Sequence, residues 1–200
     1  GLIEYGGRGF DEKNVYLADS TFFEVFSFAL AKGDINTALL SPYNILITEN
    51  VAKKYFGNED PMGKVIKRNN SENFTVAGIL RNVPANSHLQ FDILIPMSYY
   101  SRTAPDFVNN DWDNYNYYTY VQLAEKVNTK AGVEKITRQI NDMMKVRVKD
   151  VKAKLELQSL YDIHLRSDNY IGDVSGHGNI QYVRIFTMVA IIVLIVAAIN

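Results

Sequence analysis

There is no cysteine among the 200 residues. That absence excludes disulfides, zinc-thiolate sites and cysteine nucleophiles. It leaves the compartment open, because an oxidising space permits disulfides without requiring them. The chain also lacks a GxxxxGK[ST] phosphate loop and a GxGxxG turn, the glycine-rich cradles that phosphates need. It has little excess charge of either sign: 21 basic against 22 acidic residues, net −1, with no long block of like charge. A nucleic-acid binder would carry a basic stripe, and none is present. The three histidines, His88, His164 and His177, lack HxxxH or HExxH spacing. A zinc site would require them to converge by folding, with carboxylate help. No internal repeat is evident.

What is present, and unusual, is the apolar run at the end. Ile185 to Ile199 reads IFTMVAIIVLIVAAI, with no charge and a single hydroxyl, Thr187. A membrane-crossing helix needs about 20 apolar residues for a hydrocarbon core of about 30 Å. This run of about 15 covers roughly 22 Å. It reads as part of a membrane segment joined to a water-facing domain; a buried core helix or a long core strand is the alternative. Core helices of soluble domains usually keep a polar face, and this run has none. Its position is wrong for a secretory signal peptide.

The remaining residues read as one folded domain with enough chain to bury a core. Val15–Ala18 is a short strand. Phe22, Phe23, Phe26 and Phe28 anchor a short helix or turn, and Gly33-Asp34 marks a turn. Ile45–Ile47 is an apolar strand. A helix follows, with Thr48 as N-cap, Glu49 in its first turn, Val51, Ala52, Tyr55 and Phe56 on one face, and Gly57 as its stop. Asp60-Pro61-Met62-Gly63 is a turn. Lys64–Lys67 and Phe74–Leu80 are strands joined through Asn69-Asn70, and Gly78 signals a bulge or a close backbone approach. Phe91–Ile95 is a strand stopped by Pro96, and residues 98 to 114 look irregular. Tyr115 to Leu123 alternates with period two and predicts a strand. Val133, Ile136, Ile140 and Met143 or Met144 form the apolar stripe of a helix from about Thr129 to about Val146. Lys154–Leu160 alternates as a last strand, and residues 166 to 181 form a polar connector. This order of elements indicates an α+β fold.

Two groups suggest chemistry. Asp173, Ser175 and His177 lie close together, but triad members normally come from separate elements, with the serine in a strained turn. The surrounding glycines point to a connector instead. Trp112 with Tyr115, Tyr117, Tyr118 and Tyr120 has the ring faces to stack a sugar or peptide, and equally suits ordinary strand packing.

The segment SPYNILITENVAKKYFGNEDPMGKVI, followed by FTVAGILRNVPANSHLQFD, carries more than a generic pattern. Its elements are Asp19-Ser20-x-Phe22-Phe23-x-Val25-Phe26, Gly33-Asp34, Thr48-Glu49 with Ala52-Lys53-Lys54-Tyr55-Phe56-Gly57, Asp60-Pro61-Met62-Gly63-Lys64, Phe74–Gly78 and Pro84-Ala85-Asn86-Ser87-His88. In this order and spacing they closely resemble the extracytoplasmic core domain of MacB-like permeases of the ABC superfamily, the group that carries the FtsX-like membrane domain. The resemblance implies mixed sheets with packed helices in two lobes, a βαβ-type lobe near the membrane and a smaller variable one. It implies a core domain over residues 1–184, with its first part missing, and a truncated transmembrane helix over 185–200. A sheet left open there is expected to expose apolar surface or share a strand between chains.

The same resemblance implies a non-catalytic domain in the periplasm, held to the bacterial cytoplasmic membrane, with no cofactor and no metal. It implies an ABC ATPase subunit or domain, a second permease copy and a periplasmic adaptor as partners. The domain would couple ATP-driven motion to export or to mechanical signalling. The family motifs are packing and turn motifs and nominate no catalytic residue. Two other readings are a membrane-anchored ligand-binding sensor domain and a tethered hydrolase using Asp173, Ser175 and His177.

Overall fold

The computed structural model describes residues 1–104, 112, 116–148, 154–167 and 178–199. The chain falls into two compact units, Gly1–Leu155 and Glu156–Asn200. The first is built on one mixed sheet, β1 (Leu2–Tyr5), β2 (Arg8–Asp11), β3 (Val15–Ala18), β4 (Leu30–Gly33), β5 (Asn44–Thr48), β6 (Val65–Arg68), β7 (Glu72–Leu80) and β8 (Ile93–Pro96). The strand order is β2-β1-β6-β7-β5-β8-β3, with β4 also paired to β7. Its helices are α1 (Phe22–Val25), α2 (Glu49–Phe56), α3 (Met97–Thr103) and α4 (Lys130–Arg147). The fold is α+β with a mixed sheet, as the order of elements predicts.

Strand β7 organises the sheet. Its nine residues hold antiparallel β6 along the first half and antiparallel β4 along the second, while β5 runs parallel on the other edge. The β5 to β7 connection passes through α2, which gives the unit its βαβ character. Gly78 sits where the register with β5 shifts, and it pairs with Gly33 of β4. Gly33 has φ +102°, and a Cβ there would stand 2.6 Å from the Ala77 carbonyl oxygen and 2.9 Å from Gly78 Cα. Both features expected of Gly78, a bulge and a close backbone approach, are therefore present. Between β6 and β7, Asn69 and Asn70 both take positive φ, which Asn tolerates better than most side chains.

The period-two alternation of the central strands splits their apolar residues between two faces. Ile45, Ile47, Ile93 and Ile95 join Phe74, Val76 and the inner face of α2 in one cluster. Leu46 and Leu94, paired across β5 and β8, point the other way and are also fully buried. Helix α2 forms as its sequence dictates. The Thr48 hydroxyl caps the Val51 amide, Gly57 closes the end at φ +62°, and Val51, Ala52, Tyr55 and Phe56 are buried. Burial of Tyr55 and Phe74 contributes about 1.5–3 kcal/mol each.

A polar pin crosses the same face. The Glu12 carboxylate, on a residue only 6% exposed, accepts from the Tyr55 hydroxyl at 2.7 Å and from Lys54 Nζ at 2.7 Å. It fastens α2 to the chain between β2 and β3. Elsewhere Phe22, Phe26, Phe28 and Phe91 form an aromatic layer, with Phe22 stacked on Phe28 at 5.6 Å and Phe26 edge-on to Tyr120 at 4.9 Å. That layer is the anchoring role expected of these rings.

Several expectations need correction. Residues 97–103, expected to be mostly irregular, form α3, because Tyr99 packs edge-on against Phe74 at 5.0 Å. Tertiary packing supplies what local propensity does not. The described residues 116–124 form no strand. Their half-buried positions are Tyr117, Tyr120 and Leu123, a spacing of three rather than two, and Ala124 has φ −62°, ψ 143°, values of polyproline-type backbone. Tyr115 lies outside the described residues. Residues 154–159 also form no strand, because the partner of Leu155 is a side chain. Asn141 of α4 donates to the Leu155 carbonyl at 2.7 Å and accepts from its amide at 2.9 Å, occupying the place a neighbouring strand would take. In α4 the expected stripe holds, with Thr129 as N-cap and Met144, not Met143, buried. Strands β1, β2 and β4 were not expected.

Candidate membrane-coupling site

The second unit carries the apolar helix. Helix α5 (Ile180–Ile199) has 20 residues and a mean hydropathy of 2.6 over its most apolar window, none of which is buried. At 1.5 Å per residue it spans about 30 Å, the thickness of a hydrocarbon core. It starts five residues before the apolar run at Ile185. Every described residue from Tyr182 to Ile199 is solvent-facing, so no protein face of this unit covers it. The Thr187 hydroxyl donates to the Val183 carbonyl at 2.7 Å, which leaves that polar group satisfied inside an apolar setting. Helix α5 is thus long and apolar enough to cross a bilayer, and it keeps no polar face that a soluble setting would require.

The start of α5 is built into a turn. Asn179 Oδ1 accepts from the Gln181 amide at 2.7 Å, as an N-cap side chain does. The Ile180 amide donates to the Leu165 carbonyl at 3.1 Å, and the Gly178 amide donates to the His164 carbonyl at 2.9 Å. Two successive carbonyls of one turn therefore hold the entry to the helix. The turn itself is closed by Asp162 N to Ser159 O at 2.9 Å and Arg166 N to Asp162 O at 2.9 Å, and braced by an Arg166–Asp162 ion pair at 3.4 Å. Ser167 is buried. Its hydroxyl donates to the Ile163 carbonyl and accepts from Gln158 Nε2 at 3.1 Å. A Cβ on Gly178 would come within 2.9 Å of Leu165 Cδ2 and 3.3 Å of the His164 ring. The turn thus packs closely against the chain entering α5.

The residues singled out for chemistry fall as follows. His88 Nε2 lies 3.2 Å from the Tyr120 hydroxyl and 6.1 Å, ring to ring, from Phe26, in the aromatic layer. His164 contributes its carbonyl to the joint. Asp173, Ser175 and His177 lie outside the described residues. No group of three or more His, Asp or Glu able to hold a metal exists among the described residues. Trp112 is paired with the Arg147 guanidinium at 5.5 Å, and Tyr117 meets Tyr100 edge-on at 6.5 Å. Tyr118 is exposed. These rings do not gather on one sheet face. What sequence reasoning missed is the turn 159–167, which overlaps the end of the strand expected over Lys154–Leu160 and the start of the connector expected over 166 to 181, with no expectation between. Asn179, an N-cap residue shortly before the apolar run, was a signal for the start of α5 and not for this turn.

A family model, MacB-like periplasmic core domain, matches residues 2–139. The chain belongs to this family. The matched span carries every motif of the resemblance, so the MacB-like core is a periplasmic domain of an ABC transporter permease. Three of the similar solved structures are the following. A domain of a protein assigned as a permease from Porphyromonas gingivalis has TM-score 0.57 and 20% identity, covering 81% of this chain and 76% of that one. The extracellular domain of the noncanonic ABC-type transporter YknZ from Gram-positive bacteria has TM-score 0.51 and 17% identity, covering 79% and 75%. The periplasmic region of MacB from Actinobacillus actinomycetemcomitans has TM-score 0.45 and 18% identity, covering 76% and 73%. At these identities the first two speak to the fold alone. Among curated proteins, none matches the chain.

Proposed function

We propose that this MacB-like domain is the force-transmitting part of a permease in the bacterial cytoplasmic membrane. It couples ATP-driven motion of a separate nucleotide-binding subunit to export or to mechanical signalling in the periplasm, in concert with a second permease copy and a periplasmic adaptor. Its own residues do no chemistry; they carry displacement. Residues 1–184 would form the periplasmic part and the run from Ile185 the membrane helix.

The observation that supports this most is the joint at the start of α5. A helix long enough to cross the membrane is not tethered by a single strand of chain. Its first amide and the amide of Gly178 are bonded to adjacent carbonyls of a braced turn. A loose tether would suffice for an anchored sensor; a two-point joint suits a domain that is pushed and pulled. The test is made in the intact permease with its ATPase. A short Gly-Ser linker between Asn179 and Ile180 should leave basal ATP hydrolysis in place and abolish transport or signalling. Undiminished transport through a permease so loosened would refute the proposal.

A further inference from the structure

The turn that holds α5 carries two large side chains that nothing in the second unit covers. Leu160 is 53% exposed and Tyr161 is 97% exposed, adjacent on the 3-10 turn Leu160–Asp162. Isolated exposed apolar residues are ordinary on any protein surface. These two differ because of where the hydrogen bonds place them. Their turn is bonded to Gly178, two residues before α5, and to Ile180, its first residue. Ile180 lies five residues before Ile185, about 7.5 Å along the helix axis. The headgroup zone on each side of a hydrocarbon core is roughly 5–8 Å deep. If Ile185 begins the apolar span, the joint lies within the headgroup zone, and Leu160 and Tyr161 stand on the same turn, four and three residues before His164.

We propose that Leu160 and Tyr161 form a second contact with the lipid surface, inserted among the headgroups beside α5. The inference rests on the reading of α5 as a membrane helix. The chemistry of the surroundings fits that layer. Tyrosine, with an apolar ring and a polar tip, is enriched at membrane interfaces. Tyr182, exposed on the first turn of α5, is a second such ring. Arg184 lies just outside the apolar run, where a long cationic side chain reaches phosphates. The charges on the turn itself are Asp162 and Arg166, which neutralise each other in their ion pair. The wedge is therefore apolar and net neutral, with a cation nearby. A helix alone leaves its domain free to swivel about the helix axis. A side contact from the same turn removes that freedom and sets the orientation of the turn on the bilayer.

Depth-dependent quenching tests this in vesicles of phosphatidylcholine and phosphatidylglycerol. The chain has one tryptophan, Trp112, so Trp112→Phe supplies a dark background. On it, Tyr161→Trp and Tyr182→Trp are made separately; both side chains are exposed, so neither replacement disturbs packing. Lipids brominated near the headgroups should quench emission from both variants, and those brominated deep in the acyl chains should quench position 161 less. Quenching at 182 with none at 161 overturns the inference and leaves α5 in the membrane. A blue-shifted but unquenched signal at 161, with 182 quenched, overturns it as well and assigns the pair to a protein neighbour. No quenching at either position overturns both this contact and the reading of α5.

Discussion

Replacing Tyr55 with Phe isolates one polar bond in the core and has a magnitude the geometry sets. Phe keeps the ring and its burial, so the apolar contribution is unchanged. What goes is the hydroxyl that donates to Glu12 Oε1 at 2.7 Å. Burial, reinforced by the Glu12 carboxylate, pushes the Tyr55 phenol up, so it stays a donor throughout the accessible pH range. A hydrogen bond to a charged group contributes about 1.5–3 kcal/mol net, and the acceptor here is buried. The remaining partner, Lys54, has a side chain 49% exposed. Its ammonium is therefore partly screened by water, and its share in holding Glu12 is smaller than that of the buried hydroxyl.

The order of effects follows: Tyr55→Phe destabilises by about 1.5–3 kcal/mol, and Lys54→Met by less. In equilibrium urea unfolding of the detergent-solubilised chain, followed by Trp112 fluorescence, the first should lower the midpoint by about 1 M for a slope of about 1–3 kcal/mol per M. A Glu12→Ala, Tyr55→Phe cycle should show the double variant losing less than the sum, with a coupling of about 0.5–3 kcal/mol. Strict additivity, or a Lys54 effect larger than the Tyr55 effect, would refute the reasoning.

Gly33→Ala should cost about 2–4 kcal/mol, since a Cβ at φ +102° is strained and would press on the β7 backbone, which cannot rotate away; circular dichroism on urea titration reads it. Asn141→Ala should cost about 1–3 kcal/mol by orphaning both backbone groups of Leu155, with faster hydrogen exchange at the Leu155 amide as its signature. The Asp60 carboxyl is held below its usual 3.8 by the Met62 amide first and then by Lys32. Its contribution is complete above that value and lost as pH falls through the lower folded-state value, so Asp60→Asn should be less stable than the parent at neutral pH and equal to it in strong acid, as acid titration of unfolding would show.

Local chemistry was readable wherever the causes were local. Thr48, Glu49 and Gly57 bracket α2 because caps act within a few residues, and the periodicity of Val51 to Phe56 names the buried face. The same holds for Asn69-Asn70 and for Gly78, whose bulge and close approach follow from its lack of a side chain. Long-range causes were not readable. Tyr55 was assigned its buried area but not its carboxylate, because Glu12 is 43 residues away. Strand β4 has no alternation of its own and exists because β7 offers it an edge. The Gly6-Gly7 pair is a two-residue hairpin signal between β1 and β2 that no expectation used. In residues 116–124 the alternation of tyrosines misled, since ring contacts with Phe26 and Tyr100 select every third residue. For α5 the composition identified the apolar run, while the helix start five residues earlier comes with the Asn179 cap and the turn bonded to it.

On the proposed reading, the joint at the start of α5 would bound how much work passes through it. Its two backbone bonds, Gly178 to His164 and Ile180 to Leu165, contribute about 0.5–1.5 kcal/mol each, so together about 1–3 kcal/mol. Coupling free energies between distant sites in proteins are typically of the same size, about 1–3 kcal/mol. A joint weaker than this would open before it moved anything. A much stronger one is not needed for a population shift of tenfold to a hundredfold. On the proposed reading, rotation about the α5 axis is the motion that a lateral contact such as Leu160–Tyr161 would have to resist.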